Sequence, residues 1–368
     1  MPVEIIGLVP TADASESRGG IADFNRIDPS YIARVAQAHD AGNFDRVLIG
    51  YSSSGPDGWS IAERVLDRTE RLKVLIAHRP GFVQPTLAAR KAATLDQLTG
   101  GGRVAIHIIT GGNEAEQNRD GDFLDHDTRY RRSAEFISVF RRTLQSAEPF
   151  DFEGEFYQFK GALSAVKPLT ETGVPVFFGG SSAAAIEVGG RLADVYAVWG
   201  EPLDSLRAFF DQVLAVGAPA GHRPSFSVSL RPILADTEEE AWARADAIAA
   251  KTEERIAGGG GTKGFFAQGL TTSVGRERLL EHADKKDVHD ERLWTKVAGL
   301  TRSGGNTTAL VGTPQQVAEA LLRYYDLGAD RLLIRGFDPY EDAVEYGEKL
   351  IPLVREGVAK REEALVGV

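Results

Sequence analysis

The sequence contains no cysteine among its 368 residues. This absence excludes disulfide bonds, thiolate metal sites and a cysteine nucleophile, and it fits a reducing compartment. The opening residues MPVEIIGLVPT have no basic segment and only a short apolar run, so they predict a first strand rather than a signal peptide. We therefore expect a cytoplasmic protein.

Long apolar runs and positive charge are also scarce. No stretch approaches the roughly twenty apolar residues of a membrane span. The net charge of −11 has the wrong sign for nucleic acid or an anionic membrane as a bulk partner. The seven histidines form no H-x-x-x-H pair, so no metal site is expected. A serine hydrolase is not expected either, because no G-x-S-x-G elbow occurs.

Short strand-like runs alternate with helical patterns along the whole chain. The predicted strands are Glu4–Val9, Arg46–Ile49, Lys73–Ala77, Val104–Thr110, Val176–Phe178, Asp194–Val198, Phe226–Leu234 and Arg331–Ile334. Eight such units predict an α/β fold, a (β/α)8 TIM barrel in a single domain over residues 1–368, with its active site on the loops that follow the strands. The alternative is a doubly wound sheet, but such sheets rarely need eight units, and no GxGxxG follows the first strand.

Three insertions interrupt this alternation, at about residues 111–130, 150–172 and 251–308. The second has the pattern of a hairpin that follows a long helix. The third contains GGGGTKGFFAQG and TRSGGNTT, and long loops of this kind are either active-site lids or disordered segments. Its aromatic residues Phe265, Phe266 and Trp294 favour a lid that closes over a pocket, and a surface insertion remains the alternative.

Two helix starts carry residues suited to binding an anion. His126 and Tyr130 are four residues apart at the start of a helix, and in FFGGSSAAA a strand ends in two glycines before Ser181 and Ser182 open the next helix. Each motif alone could be a helix cap. Two such sites on strand-end loops make a phosphorylated cofactor the better explanation.

Several longer motifs resemble a known family. VFFGGSS, VWGEP, PTLAARKAATLDQLTGGR, TGG followed by GDFLDHDTRYRRSAEF, and TTALVGTPQQVAEAL are similar to the bacterial luciferase-like flavin monooxygenases, and among these to the alkanesulfonate monooxygenases. The resemblance runs from about residue 4 to about residue 355. It implies a TIM barrel that binds reduced FMN from a separate flavin reductase, reacts it with O2, and oxygenates a sulfonated substrate with release of sulfite and an aldehyde. It also implies a homodimer or homotetramer.

The resemblance also assigns a cofactor site and a substrate site. It places His107 and Thr110, at the end of the fourth strand, against the flavin ring. The flavin phosphate and ribityl chain would be held by His126, Tyr130, Ser181 and Ser182.

For the substrate, the resemblance points to Trp199 and Arg302, which match the family pattern, and to Arg231, which stands where the family has histidine. Arginine suits a sulfonate because it stays charged and presents a planar fork of donors. Trp199 would form an apolar wall and donate its indole N–H to an oxygen of the anion or of the oxygenated flavin. Each arginine could instead form a structural salt bridge.

Other positions depart from the alkanesulfonate pattern. Gly55 replaces a cysteine, Ala12 a histidine, Ser229 an arginine and Phe337 a tyrosine, and Arg335 has no counterpart in the family pattern. We therefore expect a bulkier or more polar sulfonate, such as a sulfo-sugar, or another sulfur compound. Two further functions stay open: a deazaflavin (coenzyme F420)-dependent oxidoreductase that transfers hydride without O2, and a barrel that binds flavin without turnover.

Overall fold

The computed structural model describes residues 3–13, 15–16, 26–258, 273–302 and 307–366. The strands in this part of the chain are β1 (Glu4–Leu8), β2 (Arg46–Ile49), β3 (Lys73–His78), β4 (Val104–Ile108), β5 (Phe150–Glu153), β6 (Gln158–Ala162), β7 (Val176–Gly179), β8 (Val195–Trp199), β9 (Ser225–Leu234), β10 (Val288–His289), β11 (Leu293–Trp294), β12 (Ala309–Gly312) and β13 (Arg331–Ile334).

The helices are α1 (Pro29–Ala41), α2 (Gly58–Asp67), α3 (Pro85–Leu98), α4 (Glu114–Arg119), α5 (His126–Gln145), α6 (Ala183–Leu192), α7 (Leu203–Gly217), α8 (Glu238–Ala257), α9 (Val274–Lys285), α10 (Lys296–Thr301), α11 (Pro314–Asp326), α12 (Pro339–Glu345) and α13 (Ile351–Val366). None of these helices is long and apolar enough to cross a membrane.

Eight parallel strands close into a barrel in the order β1-β2-β3-β4-β7-β8-β9-β13, with β13 pairing back to β1. The helices between the strands pack around the outside, so the predicted TIM barrel is confirmed. Its eight strands are the eight runs predicted from the sequence. The predicted hairpin is also present, as β5 and β6 after the long helix α5.

Three strands, β10, β11 and β12, were not predicted. β12 pairs in parallel with the second half of β9, from Ala309 beside Arg231 to Gly312 beside Leu234. The first half of β9 belongs to the barrel, where Leu230 lies beside Ile334 of β13. β9 therefore leaves the barrel after Leu230 and joins a small sheet with β12, β11 and β10.

The lower interior of the barrel is filled. Its middle layer is a cluster of buried apolar side chains: Ile6, Leu75, Ala105, Phe177, Val195 and Leu333. Beneath it, Glu4 accepts hydrogen bonds from Arg46 at 2.7 Å and from Arg331 at 3.0 Å. Both guanidinium groups lie within 6 Å of the Phe177 ring. Because charge and aromatic bulk close this end, the barrel can receive a ligand only at the C-terminal ends of its strands, which we call the mouth.

Candidate active site

The layer above the apolar cluster carries small side chains. Side chains alternate along a strand, so the inward-facing residue two positions beyond each member of the cluster belongs to this layer. At four strands that residue is Ala77, Gly179, Ala197 or, two positions beyond Leu48, which packs against the cluster, Gly50. A Cβ built on Gly50 would meet no atom of the described residues within 4 Å. The upper barrel is therefore open where the middle layer is packed.

His107 is a polar side chain of this layer, on β4. Its ring lies beside Gly179, where a Cβ would be 3.5 Å from Cε1 and 3.7 Å from Nε2. Its Nδ1 is buried and has no hydrogen-bond partner among the described residues. Burial lowers the pKa of His107 to about 4, so at pH 7 the ring is neutral, with one donor and one acceptor nitrogen.

Thr110 holds the loop after β4 in place. Its hydroxyl is 3.0 Å from the hydroxyl of Ser133 on α5, and its carbonyl accepts a hydrogen bond from Gln117 on α4 at 2.9 Å. Gln117 also packs against Gly111, where a Cβ would overlap its side-chain nitrogen. Since the Thr110 hydroxyl is buried with Ser133, its role in this structure is to connect the loop to two helices.

Tyr130 belongs to the second turn of α5 and packs against the start of α6. A Cβ on Gly180 would come within 2.7 Å of the Tyr130 hydroxyl, and this glycine has a φ of +142°. The hydroxyl is hydrogen-bonded to Ser182, and burial raises the pKa of Tyr130. Ser182 is the N-cap of α6 and accepts a hydrogen bond from the backbone N–H of Ala185 at 3.2 Å. The tyrosine and the helix cap therefore form one polar cluster.

His126 extends this cluster towards solvent. Its ring packs on Tyr130 with 4.9 Å between centroids, and its Nδ1 is 2.6 Å from the carboxylate of Asp127. The side chain is 46% exposed. Four of the predicted cofactor residues, His126, Tyr130, Ser181 and Ser182, thus lie on two adjoining helix starts.

The first turn of α9 packs against both Ser181 and Trp199. A Cβ on Gly275 would come within 2.9 Å of the Ser181 hydroxyl oxygen and 3.4 Å of Cζ3 of Trp199. Trp199 ends β8, and its side chain is partly exposed at the mouth. α9 therefore covers one side of the mouth, between the helix-cap serine and the predicted substrate wall.

Arg231 is buried at the mouth in an ion pair. It donates to both carboxylate oxygens of Glu16, at 2.9 and 3.2 Å, and to the carbonyl of Gly336 at 2.9 Å. Its guanidinium lies 3.5 Å from the centroid of the Phe337 ring. Arg335 donates to the same Glu16 at 2.5 Å. Arg231 thus lies at the mouth with a carboxylate of the chain as its partner.

Arg302 is farther from the other predicted residues. Its side chain is 52% exposed and pairs with Asp284 at 2.6 Å, and its carbonyl accepts a hydrogen bond from Arg276 at 2.9 Å. Both partners belong to α9. Among the described residues no contact joins Arg302 to Ser181, Trp199 or Arg231. The glycine-rich stretch 259–264 of the predicted lid lies outside the described residues, as do Phe265 and Phe266.

Three charged residues at the mouth were not predicted. Arg79 is buried just after β3 and pairs with Glu116 at 2.9 Å, and Glu16 is partly buried in the segment that follows β1. Glu201 follows β8 and binds Arg278 of α9 through two hydrogen bonds of 2.6 and 2.7 Å. The available signal was position, since Arg79 and Glu201 come just after strands and Glu16 belongs to the segment that follows β1.

Comparisons with known proteins agree with the barrel fold. In fold, the chain is similar to the EDTA monooxygenase of Chelativorans sp. BNC1 (TM-score 0.75, 18% identity, 97% of this chain and 94% of that one). It is also similar to the oxygenating constituent of 3,6-diketocamphane monooxygenase from Pseudomonas putida, solved with FMN (TM-score 0.67, 18% identity, 95% of this chain and 96% of that one). A third similar structure is the coenzyme F420-dependent tetrahydromethanopterin reductase of Methanopyrus kandleri (TM-score 0.67, 16% identity, 96% of this chain and 99% of that one).

The family model of the luciferase-like monooxygenases matches residues 4–331. This range runs from the first strand of the barrel to the start of the last, and it includes the open layer, the Tyr130 cluster and the α9 segment. The chain belongs to the luciferase-like monooxygenase family.

Proposed function

We propose that this protein is an FMNH2- and O2-dependent monooxygenase that cleaves the C–S bond of an organosulfonate, either an alkanesulfonate or a bulkier compound such as a sulfo-sugar. The balanced reaction converts R–CH2–SO3⁻, O2 and FMNH2 to the aldehyde R–CHO, HSO3⁻, FMN and water. The proposal includes a separate flavin reductase as the source of FMNH2, and a homodimer or homotetramer. The observation that carries it is the Tyr130–Ser182 cluster beside the open layer of the barrel.

The residues present fit FMN at both ends of the cofactor. The open layer of Gly50, Ala77, Gly179 and Ala197 leaves room for a flat ring above a packed floor. The start of α6 offers hydroxyl donors and the N–H groups of a first helical turn, which suit a phosphate. When bound, reduced FMN supplies the two electrons and the activation of O2.

The chain's own contribution is placement and exclusion of water. His107, neutral at pH 7, offers one hydrogen-bond donor or acceptor to the ring from inside the barrel. Trp199 supplies an apolar surface under α9, and Arg231 supplies positive charge where β9 leaves the barrel. A water-poor pocket strengthens the attraction between such a cation and an anionic substrate.

Arg302 is proposed as a second cation for the substrate. Its pair with Asp284 is about half exposed, and exposed ion pairs contribute at most about 1 kcal/mol. Reorienting the arginine towards a sulfonate therefore costs little. We expect Arg302→Ala to reduce sulfite release strongly while the affinity for reduced FMN stays nearly unchanged.

The second candidate function is deazaflavin-dependent hydride transfer on the same barrel. The observation that favours it is the similar fold of the Methanopyrus reductase. An anaerobic titration separates the two. Quenching of protein fluorescence should be saturable with reduced FMN and at least about a hundredfold weaker with the reduced deazaflavin. Tighter binding of the deazaflavin would favour the second candidate.

A further inference from the structure

Two arginines stand side by side at the mouth on neighbouring strands. Leu230 of β9 is in register with Ile334 of β13, so the next residues, Arg231 and Arg335, are adjacent. The backbone N–H of Arg335 donates to the carbonyl of Leu230 at 3.2 Å, which fixes this register. Both belong to the inward-facing rows of their strands, because Leu333 is part of the interior cluster.

One carboxylate serves both arginines. Glu16 accepts two hydrogen bonds from Arg231, and its Oε1 also accepts one from Arg335. The three side chains carry a net charge of +1. Burial raises the pKa of Glu16, but Arg231 and Arg335, with a smaller contribution from Arg255, lower it to about 2, so the carboxylate is ionised at every working pH.

Each arginine of the pair keeps one N–H donor that a ligand could use. The Nε of Arg231 and the Nε of Arg335 are both buried without a hydrogen-bond partner among the described residues. The nearby carboxylate Asp342 is bound by Arg244 at 2.6 Å and does not serve this pair. A buried donor without a partner destabilises the folded chain, which favours any ligand that can accept from it.

Glu16 belongs to neither a strand nor a helix, and it reaches the arginines through its side chain. It lies in an irregular segment after β1, held by the hydrogen bond of its backbone N–H to the carbonyl of Phe337 at 2.8 Å. Its side chain is 20% exposed, whereas that of Arg231 is 3% exposed. The glutamate side chain can therefore rotate towards solvent without moving a strand.

We propose that Arg231 and Arg335 form an anion subsite of the mouth that Glu16 covers, and that the carboxylate or sulfonate of a ligand takes the place of the Glu16 carboxylate. The exchange keeps both arginines paired, so it avoids an uncompensated buried charge. The inference rests on the proposed function in one respect, namely that the ligand is the anionic substrate. It makes Arg335 and Glu16 determinants of substrate affinity.

The test measures anion binding by the purified full chain without flavin. Naphthalene-2-sulfonate and naphthalene-2-carboxylate are titrated by their own fluorescence, with 2-naphthol as the uncharged analogue. Glu16→Gln removes the competing charge and should bind both anions at least about tenfold more tightly than wild type, with no gain for 2-naphthol. Adding Arg335→Gln to Glu16→Gln should abolish the gain.

Glu4→Gln is the matched control. It also neutralises a mostly buried carboxylate that accepts hydrogen bonds from two arginines, Arg46 and Arg331, and it changes the net charge equally, but it lies at the closed end of the barrel. This variant should bind the anions as wild type does. If Glu16→Gln does not fold, Glu16→Asp, which withdraws the carboxylate by one methylene, should give a smaller gain of about threefold.

The proposal is overturned if a folded Glu16 variant binds the anions no more tightly than wild type and Glu4→Gln, or if the gain survives Arg335→Gln. Because the readout is binding without flavin, it is independent of the proposed reaction. Tighter anion binding with no sulfite release from any sulfonate would support the subsite and contradict the proposed function.

Discussion

The hydroxyl of Tyr130 lies directly over Gly180, so that a Cβ at residue 180 would come within 2.7 Å of it and within 2.6 Å of Cβ of Ala185. The glycine also has a φ of +142°, which side-chain-bearing residues rarely adopt. This contact holds the predicted phosphate-binding tyrosine against the start of α6.

The first prediction concerns this contact. Gly180→Ala should displace Tyr130 and lower the affinity for reduced FMN by at least about tenfold, because the new methyl group occupies the place of the hydroxyl. Gly328→Ala is the control, since Gly328 also has a positive φ (+113°) but has nothing within 4 Å of its Cβ position. Both variants should melt at a lower temperature than wild type in calorimetry, because alanine is strained at a positive φ. Equal flavin affinity in the two would contradict the assignment.

The second prediction concerns the hydroxyl donors. Tyr130→Phe combined with Ser181→Ala should weaken binding of reduced FMN by at least about a hundredfold, because hydrogen bonds to a charged group contribute about 1.5–3 kcal/mol each. Tyr157→Phe combined with Ser138→Ala is the control. Tyr157 packs against Phe136 and the Ser138 hydroxyl binds the carbonyl of Ala134, away from the start of α6. If the site variant binds reduced FMN as tightly as the control, these donors do not hold the cofactor.

The third prediction concerns stability and pH. Burial lowers the pKa of His78, which packs between Trp59 and Phe136, to about 3. The unfolded chain, with a histidine pKa near 6.5, then binds one more proton than the folded chain at pH 4 to 6. This residue's contribution to stability is complete above about pH 6.5 and is lost as the pH falls towards 3.

His78→Phe removes that proton and keeps an aromatic ring. Denaturant unfolding between pH 6.5 and 4 should give a pH slope smaller than that of wild type by up to about 1.4 kcal/mol per pH unit. An unchanged slope would mean that His78 is not held neutral in the folded protein.

The fourth prediction concerns the attachment of α9. Arg278→Met leaves Glu201 buried without its cation and should destabilise the docking of α9 by about 1.5–3 kcal/mol, seen as faster hydrogen exchange over residues 274–285. Arg276→Met is the control on the same helix, because among the described residues the Arg276 guanidinium donates one hydrogen bond, to the carbonyl of Arg302. Similar exchange in the two variants would show that the Glu201 pair does not anchor the helix.

The sequence predicted the features that depend on local pattern. All eight barrel strands and the helix starts at His126 and Ser182 follow from alternation, spacing and capping residues, and the structure places Tyr130 beside Ser182 as expected. The partner of Arg231 could not be predicted, because Glu16 is 215 positions away and reaches it only once the barrel closes. β12 was missed for a similar reason, since it is stabilised by pairing with the far half of β9.

The most direct test of the central claim is sulfite release measured together with O2 consumption, over a panel of alkane- and sugar sulfonates, with a flavin reductase supplying FMNH2. We predict that at least one sulfonate yields sulfite and aldehyde in equal amounts, with one O2 consumed per sulfite beyond the background of flavin oxidation, and that release stops without O2. Turnover that proceeds without O2, or no sulfite from any sulfonate under conditions where reduced FMN binds, would contradict the account.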